Sequence, residues 1–284
     1  MANLRRLLSG TRALIRESME TAMSHQFLPG VRHDDDLFLV EFPKSGVTWL
    51  TFLMANVHAL LTQDRRAVTF FNVNDFIPDV QSTPYAGAPA AGMPGHRCFK
   101  SHAPYLARYR KVIYLVRDPR DVMVSYWTFL RGLGSWDATL EQLVTHRRHG
   151  IGAWVDHVSG WLDGIDAAAS FTLIRYEDLI ADTPGELARL YGLLGMPVTE
   201  EIIVTAVERS SIERMRQLEA EFAARHPALT KLQFVRRDRA GGAREPVSPA
   251  LRELIEKRAG DLMQRLGYGL AGAPQLAVPK LVFK

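Results

Sequence analysis

Short runs of β-branched and aromatic residues recur along this chain, and after most of them the apolar residues switch to helical spacing. The runs are LFLVEF (37–42), CFKSH (98–102), KVIYLVR (111–117) and FTLIRY (171–176). Such nearly continuous apolar runs are the mark of strands covered on both faces. Helical patterns follow at 48–62, 120–131 and 183–194. Pro119 is placed to open the second, and TPGEL gives the third a Thr183 cap, an early proline and an early Glu186. Strands that alternate with helices of this length need crossover connections, so the pattern predicts an α/β fold with a central, mostly parallel sheet flanked by helices. Further helical signals cover 199–219 and 248–266, while 77–95, rich in Pro, Gly and Ala, reads as a long irregular loop.

Composition bounds what such a fold is for. With 284 residues, 47% hydrophobic and 23% charged, the chain suits a single globular domain, 1–284, with a core over 36–267 and a helical extension over 1–33. No apolar run reaches the roughly 18 residues that span a bilayer, and charges scattered through MANLRRLLSGTRALIRESME argue against a secretion signal. The lone Cys98 excludes an intrachain disulfide framework and a zinc-type cysteine cluster, so the expected compartment is the cytoplasm. It reads as a small buried hydrophobe. The net charge of +4 is mildly basic and by itself selects no partner.

In an open parallel sheet, ligands sit beyond the carboxyl ends of the strands, so the residues just after each run carry the functional reading. FPKSGVTW (42–49) joins the first strand to the first helix. A turn containing Gly46 at a helix start exposes backbone N–H groups to which Lys44 adds a charge and Ser45 and Thr48 add hydroxyls. That set favours an anion; a solvated Lys44 and a capping Ser45 are the plainer alternative. The lysine precedes the glycine, the reverse of the usual ATP and GTP loop. In IYLVRDPRDVMVSYW, Arg117 ends the third strand, Asp118 is the cap, Pro119 opens the helix and Ser125 lies about two turns in. An arginine fork with a helix hydroxyl suits phosphate, although such an arginine is also a common surface ion-pair partner. Asp118, Asp121, Glu177 and Asp178 read as helix-start and ion-pair residues.

FPKSGVTW, KSH (100–102), VRDPRDVMVSYW, RYEDL (175–179) and FVRRDRAGG (234–242) occur in the order, and at about the spacing, found in the cytosolic-type sulfotransferases. The ordered set resembles that family over roughly residues 36–245. The resemblance implies a P-loop-NTPase-like sulfotransferase fold and 3′-phosphoadenosine 5′-phosphosulfate as donor, with no metal required. By residue type and place it assigns Lys44, Ser45, Gly46, Val47, Thr48 and Trp49 to the donor loop, Trp49 stacking on adenine. Arg117 and Ser125 match one 3′-phosphate clamp, and Arg236, Arg237 and Gly241 the other; Tyr176, Ser210 and Ile212 fall near the nucleotide. His102 resembles the family's general base, flanked by Lys100. An imidazole can take the acceptor's proton near neutral pH, while Lys44 and Lys100 stabilise charge growing on the leaving oxygens.

The sequence also departs from the family pattern. Val47 replaces a threonine of the loop, Asp238 stands where glycine is common, and Ile212 takes the place of phenylalanine. The family's dimer motif is poorly matched by REPVSPALRE, which leaves the oligomeric state open. The acceptor is a hydroxyl of a small molecule, sugar or lipid, and no nucleic acid is expected. Its pocket is expected from 77–95, RGLGSW (131–136) and HRRHGIGAWVDHVSGW (146–161), whose Trp136, Trp154 and Trp161 either stack on a ring or belong to the core. The stretch Leu4 to Met19, as an amphipathic helix exposing Arg5, Arg6, Arg12 and Arg16, either rests on an acidic membrane or packs on the domain. A P-loop-type nucleotide kinase or hydrolase is the alternative enzyme, and a silent adenosine-bisphosphate binder the non-enzymatic one.

Overall fold

The structure is a computed structural model that describes residues 33–80, 97–165, 168–226 and 247–270. The expected N-terminal helix, most of the 77–95 loop, and Arg236, Arg237, Asp238 and Gly241 lie outside these residues.

Four strands, β1 (Leu37–Glu41), β2 (Cys98–Ser101), β3 (Lys111–Val116) and β4 (Ser170–Arg175), form one parallel sheet in the order β2-β1-β3-β4. Each lies within a residue or so of its apolar run. The strands alternate faces, as the two-residue period of a pleated sheet demands. Phe38, Val40, Phe99, Val112, Tyr114, Val116, Phe171 and Leu173 enter one core, while Leu37, Leu39, Cys98, Ile113, Leu115 and Ile174 enter the other.

Helix α1 (Val47–Leu61) follows β1 and packs into the second core; α2 (Val73–Phe76) is a single turn beneath it. Helices α3 (Pro119–Gly132), α4 (Leu140–Thr145) and α5 (Ile151–Asp163) cover the opposite face. After β4 come α6 (Tyr176–Ala181), α7 (Thr183–Leu193), α8 (Glu200–Arg209), α9 (Ile212–Arg225) and α10 (Pro249–Arg265). Helices α1 and α3 leave neighbouring strands toward opposite faces, so the order of the sheet reverses between β1 and β3. That switch point opens a crevice at the carboxyl edge, where FPKSG and RDPRD both emerge.

Local chemistry explains the helix ends. Asp118 accepts from the Arg120 amide at 2.9 Å with Pro119 in first position, as the sequence predicts. The cap of α7 differs from the expectation: Asp182 Oδ1 accepts from the Gly185 amide at 3.0 Å, and Thr183, already helical, bonds back to the Leu179 carbonyl at 2.8 Å. The carboxylate one residue upstream occupies the capping geometry and leaves the threonine to the preceding turn. The single signal over 199–219 is two helices, broken at Ser210, with Ser211 capping α9 through the Arg214 amide. Trp154 and Trp161 take the core alternative. Both are fully buried, and the Trp161 indole donates to the Ala103 carbonyl at 3.0 Å, so neither can stack on an acceptor.

Candidate active site

The turn after β1 is wound tightly enough to need left-handed backbone at two positions, Lys44 (φ 77°) and Gly46 (φ 111°). Gly46 is required on a second count: a Cβ there would lie 2.4 Å from Cδ2 of Tyr176. Ser45 is buried, and its hydroxyl donates to the Phe42 carbonyl at 2.9 Å, so it closes the turn from within. Among the described residues, the amides of Gly46 and Thr48 meet no protein acceptor. These orphan donors at a helix start suit an anion. The Val47 amide is engaged: it donates at 2.8 Å to Oε2 of Glu41, the buried last residue of β1. Lys44 extends so that Nζ lies 4.1 Å from the centre of the Phe129 ring on α3.

His102 stands just past β2, beside this turn. Its Nδ1 is 3.4 Å from the Glu41 carbonyl oxygen and 3.7 Å from Glu41 Oε1. Burial, followed by the positive charge of Lys100, lowers the imidazole pKa to about 3, so the ring is neutral at physiological pH. Burial raises the Glu41 pKa to about 7 against the opposing effects of the Val47 amide, Lys100 and Lys44. Lys100 is paired with Asp79 at 2.9 Å. Behind His102, the Tyr114 hydroxyl and His157 Nδ1 are 2.8 Å apart, and burial holds the His157 pKa down to about 4.

The second cradle starts at Arg117, directly after β3. Its guanidinium lies over the Tyr176 ring, 4.5 Å from the centroid, and Nη2 approaches Asp121 Oδ2 at 3.4 Å. Arg117 Nε is buried without a hydrogen-bond partner among the described residues, a donor that fits a phosphate oxygen. Ser125, about one turn beyond Asp121 on α3, is buried. Tyr176 thus touches both cradles, closing on Gly46 with one edge and carrying Arg117 on its ring. Trp49 meets Tyr176 edge-on at 6.2 Å and donates its indole N–H to the Ser210 carbonyl at 2.9 Å. Ser210 is wholly buried, with its hydroxyl held by Asn56 at 3.0 Å, whereas Ile212 is 42% exposed and free to face a ligand.

Glu177 plays the structural part expected of it, accepting from the Asp118 amide and from the Tyr268 hydroxyl, each at 3.0 Å. Asp118 bonds the Arg120 side chain, which also reaches Glu256 on α10 at 2.9 Å. Sequence reasoning missed three residues of the candidate site: Glu41, Asp79 and His157. A single acid at the end of an otherwise apolar strand was a signal for the first, because a buried charge needs partners. Among the described residues, no group of three or more His, Cys, Asp or Glu side chains is gathered to hold a metal.

A parallel sheet with a tight, amide-lined turn at its switch point is a P-loop-like α/β fold. The model of the sulfotransferase domain family matches residues 34–267, and the chain belongs to that family. Human sulfotransferase 2B1 is 30% identical over 197 residues, covering 64% of this chain and 52% of that protein, so the chain spans about half the length of this relative. Retinol dehydratase, solved in complex with androsterone and the inactive cofactor PAP, superposes with a TM-score of 0.64 at 20% identity, over 88% of this chain and 86% of its own. Mouse sulfotransferase SULT7A1, complexed with PAP, gives a TM-score of 0.58 at 21% identity, over 85% and 88%. At these identities the two solved structures bear on the fold. No helix of the described residues is long and apolar enough to cross a membrane.

Proposed function

We propose that the chain is a sulfotransferase that moves the sulfuryl group of 3′-phosphoadenosine 5′-phosphosulfate to a hydroxyl of a small-molecule, carbohydrate or lipid acceptor, with His102 as general base. One observation carries this reading: the Tyr176 ring ties the Gly46 turn to Arg117, so two anion cradles stand a fixed distance apart, as a bisphosphorylated nucleotide requires. Family membership and the presence of PAP in the complexes of retinol dehydratase and mouse SULT7A1 support it.

The bound donor supplies the sulfuryl group. The Gly46 and Thr48 amides, with Lys44, hold its 5′ end; Arg117 and Ser125 hold the 3′-phosphate; Trp49 and Ile212 flank the adenine. His102, neutral at pH 7, takes the acceptor's hydroxyl proton. Lys100 and Lys44 steady the negative charge that grows on the leaving oxygen, and Lys100 must then share its ammonium between Asp79 and the substrate. Androsterone and retinol in the retinol dehydratase complexes favour small hydroxyl-bearing apolar acceptors as the first class to try.

The test is transfer of radiolabelled sulfuryl from the nucleotide to a panel of steroid, phenolic, sugar and lipid alcohols, with and without a chelator. Label appearing on at least one acceptor, unaffected by chelation, is the expected result. Label on none, or hydrolysis of ATP instead, overturns the reading.

A further inference from the structure

Glu41 is the one carboxylate that β1 carries into the core beside the site, and it is 2% exposed. Its Oε2 takes the first amide of α1, that of Val47, at 2.8 Å. Its other oxygen, Oε1, and its own carbonyl lie 3.7 and 3.4 Å from Nδ1 of His102. The carbonyl is an acceptor at any pH and the ionised carboxylate is a second, so Nδ1 carries the ring hydrogen and Nε2 is left with the lone pair. A buried carboxylate is costly unless it has partners, and these are a loop amide and an imidazole, with Lys44 and Lys100 nearby.

We propose that Glu41 is a positioning residue for the transfer reaction: it fixes His102 in the Nδ1–H tautomer, faces the charge that forms on the ring, and couples the base to the donor turn through Val47. The inference rests on the sulfotransferase reading. In the step itself, His102 Nε2 takes the hydroxyl proton as the acceptor oxygen bonds sulfur; the bridging S–O bond breaks, and its electron pair leaves with the 5′-phosphate. The imidazolium so formed has Nδ1–H directed at Glu41, whose negative charge stabilises it.

A plain helix cap would account for the Val47 contact but not for the approach to His102. Glutamine separates the two roles, since its amide oxygen still accepts from Val47 while its charge is gone. The groups that face Glu41 are Lys44 on the turn, Lys100 and His102 at β2, Tyr114 on β3 and Tyr176 on α6, with Asp79 paired to Lys100 and His157 beyond His102. The charge of Asp79 also reaches the imidazole, but that carboxylate is paired with Lys100 at 2.9 Å. Ionisation of Glu41 is therefore expected to appear as an acid limb of turnover near pH 7, where burial already keeps the imidazole neutral.

The experiment compares wild type, Glu41→Gln and Glu41→Ala in donor affinity, kcat and its pH profile, together with the ¹⁵N shifts of His102 in the wild type, assigned by their loss in His102→Ala. Expected are an Nδ1–H tautomer, donor affinity within about twofold in Glu41→Gln, kcat lower by about tenfold or more, and loss of the acid limb. An Nε2–H tautomer in the wild type, or an unchanged kcat and pH profile in Glu41→Gln, overturns the proposal. Absence of transfer by the wild type overturns the sulfotransferase reading instead, and the tautomer measurement still decides the placement of Glu41.

Discussion

Arg117 rests over the ring of Tyr176, 4.5 Å from its centre, while the same ring closes against Gly46. A residue of β3's end and one of β4's end are thereby joined to the turn after β1, and three separate strands contribute to one crevice. The aromatic face supports the guanidinium without using its hydrogen-bond donors; Nη2 leans toward Asp121, and Nε is left for a ligand.

On the proposed function, truncating Arg117 to alanine removes charge-assisted bonds to the 3′-phosphate. The expected loss is about 2 kcal/mol, roughly 30-fold in the Kd of adenosine 3′,5′-bisphosphate by calorimetry, with AMP affinity nearly unchanged. Equal losses for both nucleotides would remove Arg117 from the 3′-phosphate site.

His102→Ala should behave in the opposite way. Turnover is expected to fall by about 100-fold or more, while the bisphosphate binds within about twofold of wild type. A variant that keeps most of its single-turnover rate would show that another group takes the proton.

Gly46→Ala brings a methyl group into the Tyr176 ring on a backbone with φ 111°. The strained backbone alone costs about 1–2 kcal/mol, so melting should drop by about 4 °C or more and nucleotide binding should be lost. Replacing Tyr176 with alanine as well relieves the overlap but not the dihedral, and restores only part of the melting temperature.

The pH dependence of stability follows from Glu41, whose folded pKa is raised from 4.5 to about 7. Between these values the folded chain holds a proton that the unfolded chain has released. Stability is therefore lost as pH rises through this window, by about 3 kcal/mol at full effect. His102 and His157, lowered to about 3 and about 4, act in the other direction and add stability as pH rises toward 6.5. Glu41→Gln removes only the first contribution, so denaturation should find it stabilised relative to wild type at pH 8 and not at pH 5. The same difference at both values would mean that Glu41 is not titrating in this range.

Much of the fold was legible because buried parallel strands have a plain signature: four apolar runs became the four strands, and the loops after them form the candidate site. Asp118 and Pro119 were readable because capping chemistry is local. The break at Ser210 was not, since helical spacing continues through it and the stop depends on Trp49 and Asn56, more than 150 positions away in sequence. Glu41 was hidden inside LFLVEF, where periodicity treats it as one more strand position. Its meaning lies in Val47 and His102, and the latter is brought alongside only by the pairing of β1 with β2. The pairing of Lys100 with Asp79 escaped for the same reason, the acid lying in a segment that reads as loop.

Helix α6 starts at Tyr176, immediately after β4 ends at Arg175, and Arg175 is aligned with Val116 of β3. No slack separates the ring from the sheet. A slip of β4 by a single residue would turn Tyr176 to the opposite side and part Gly46 from Arg117. The spacing of the two candidate cradles is thus calibrated by the ladder of backbone hydrogen bonds, which leaves the surrounding loops free to vary without disturbing it.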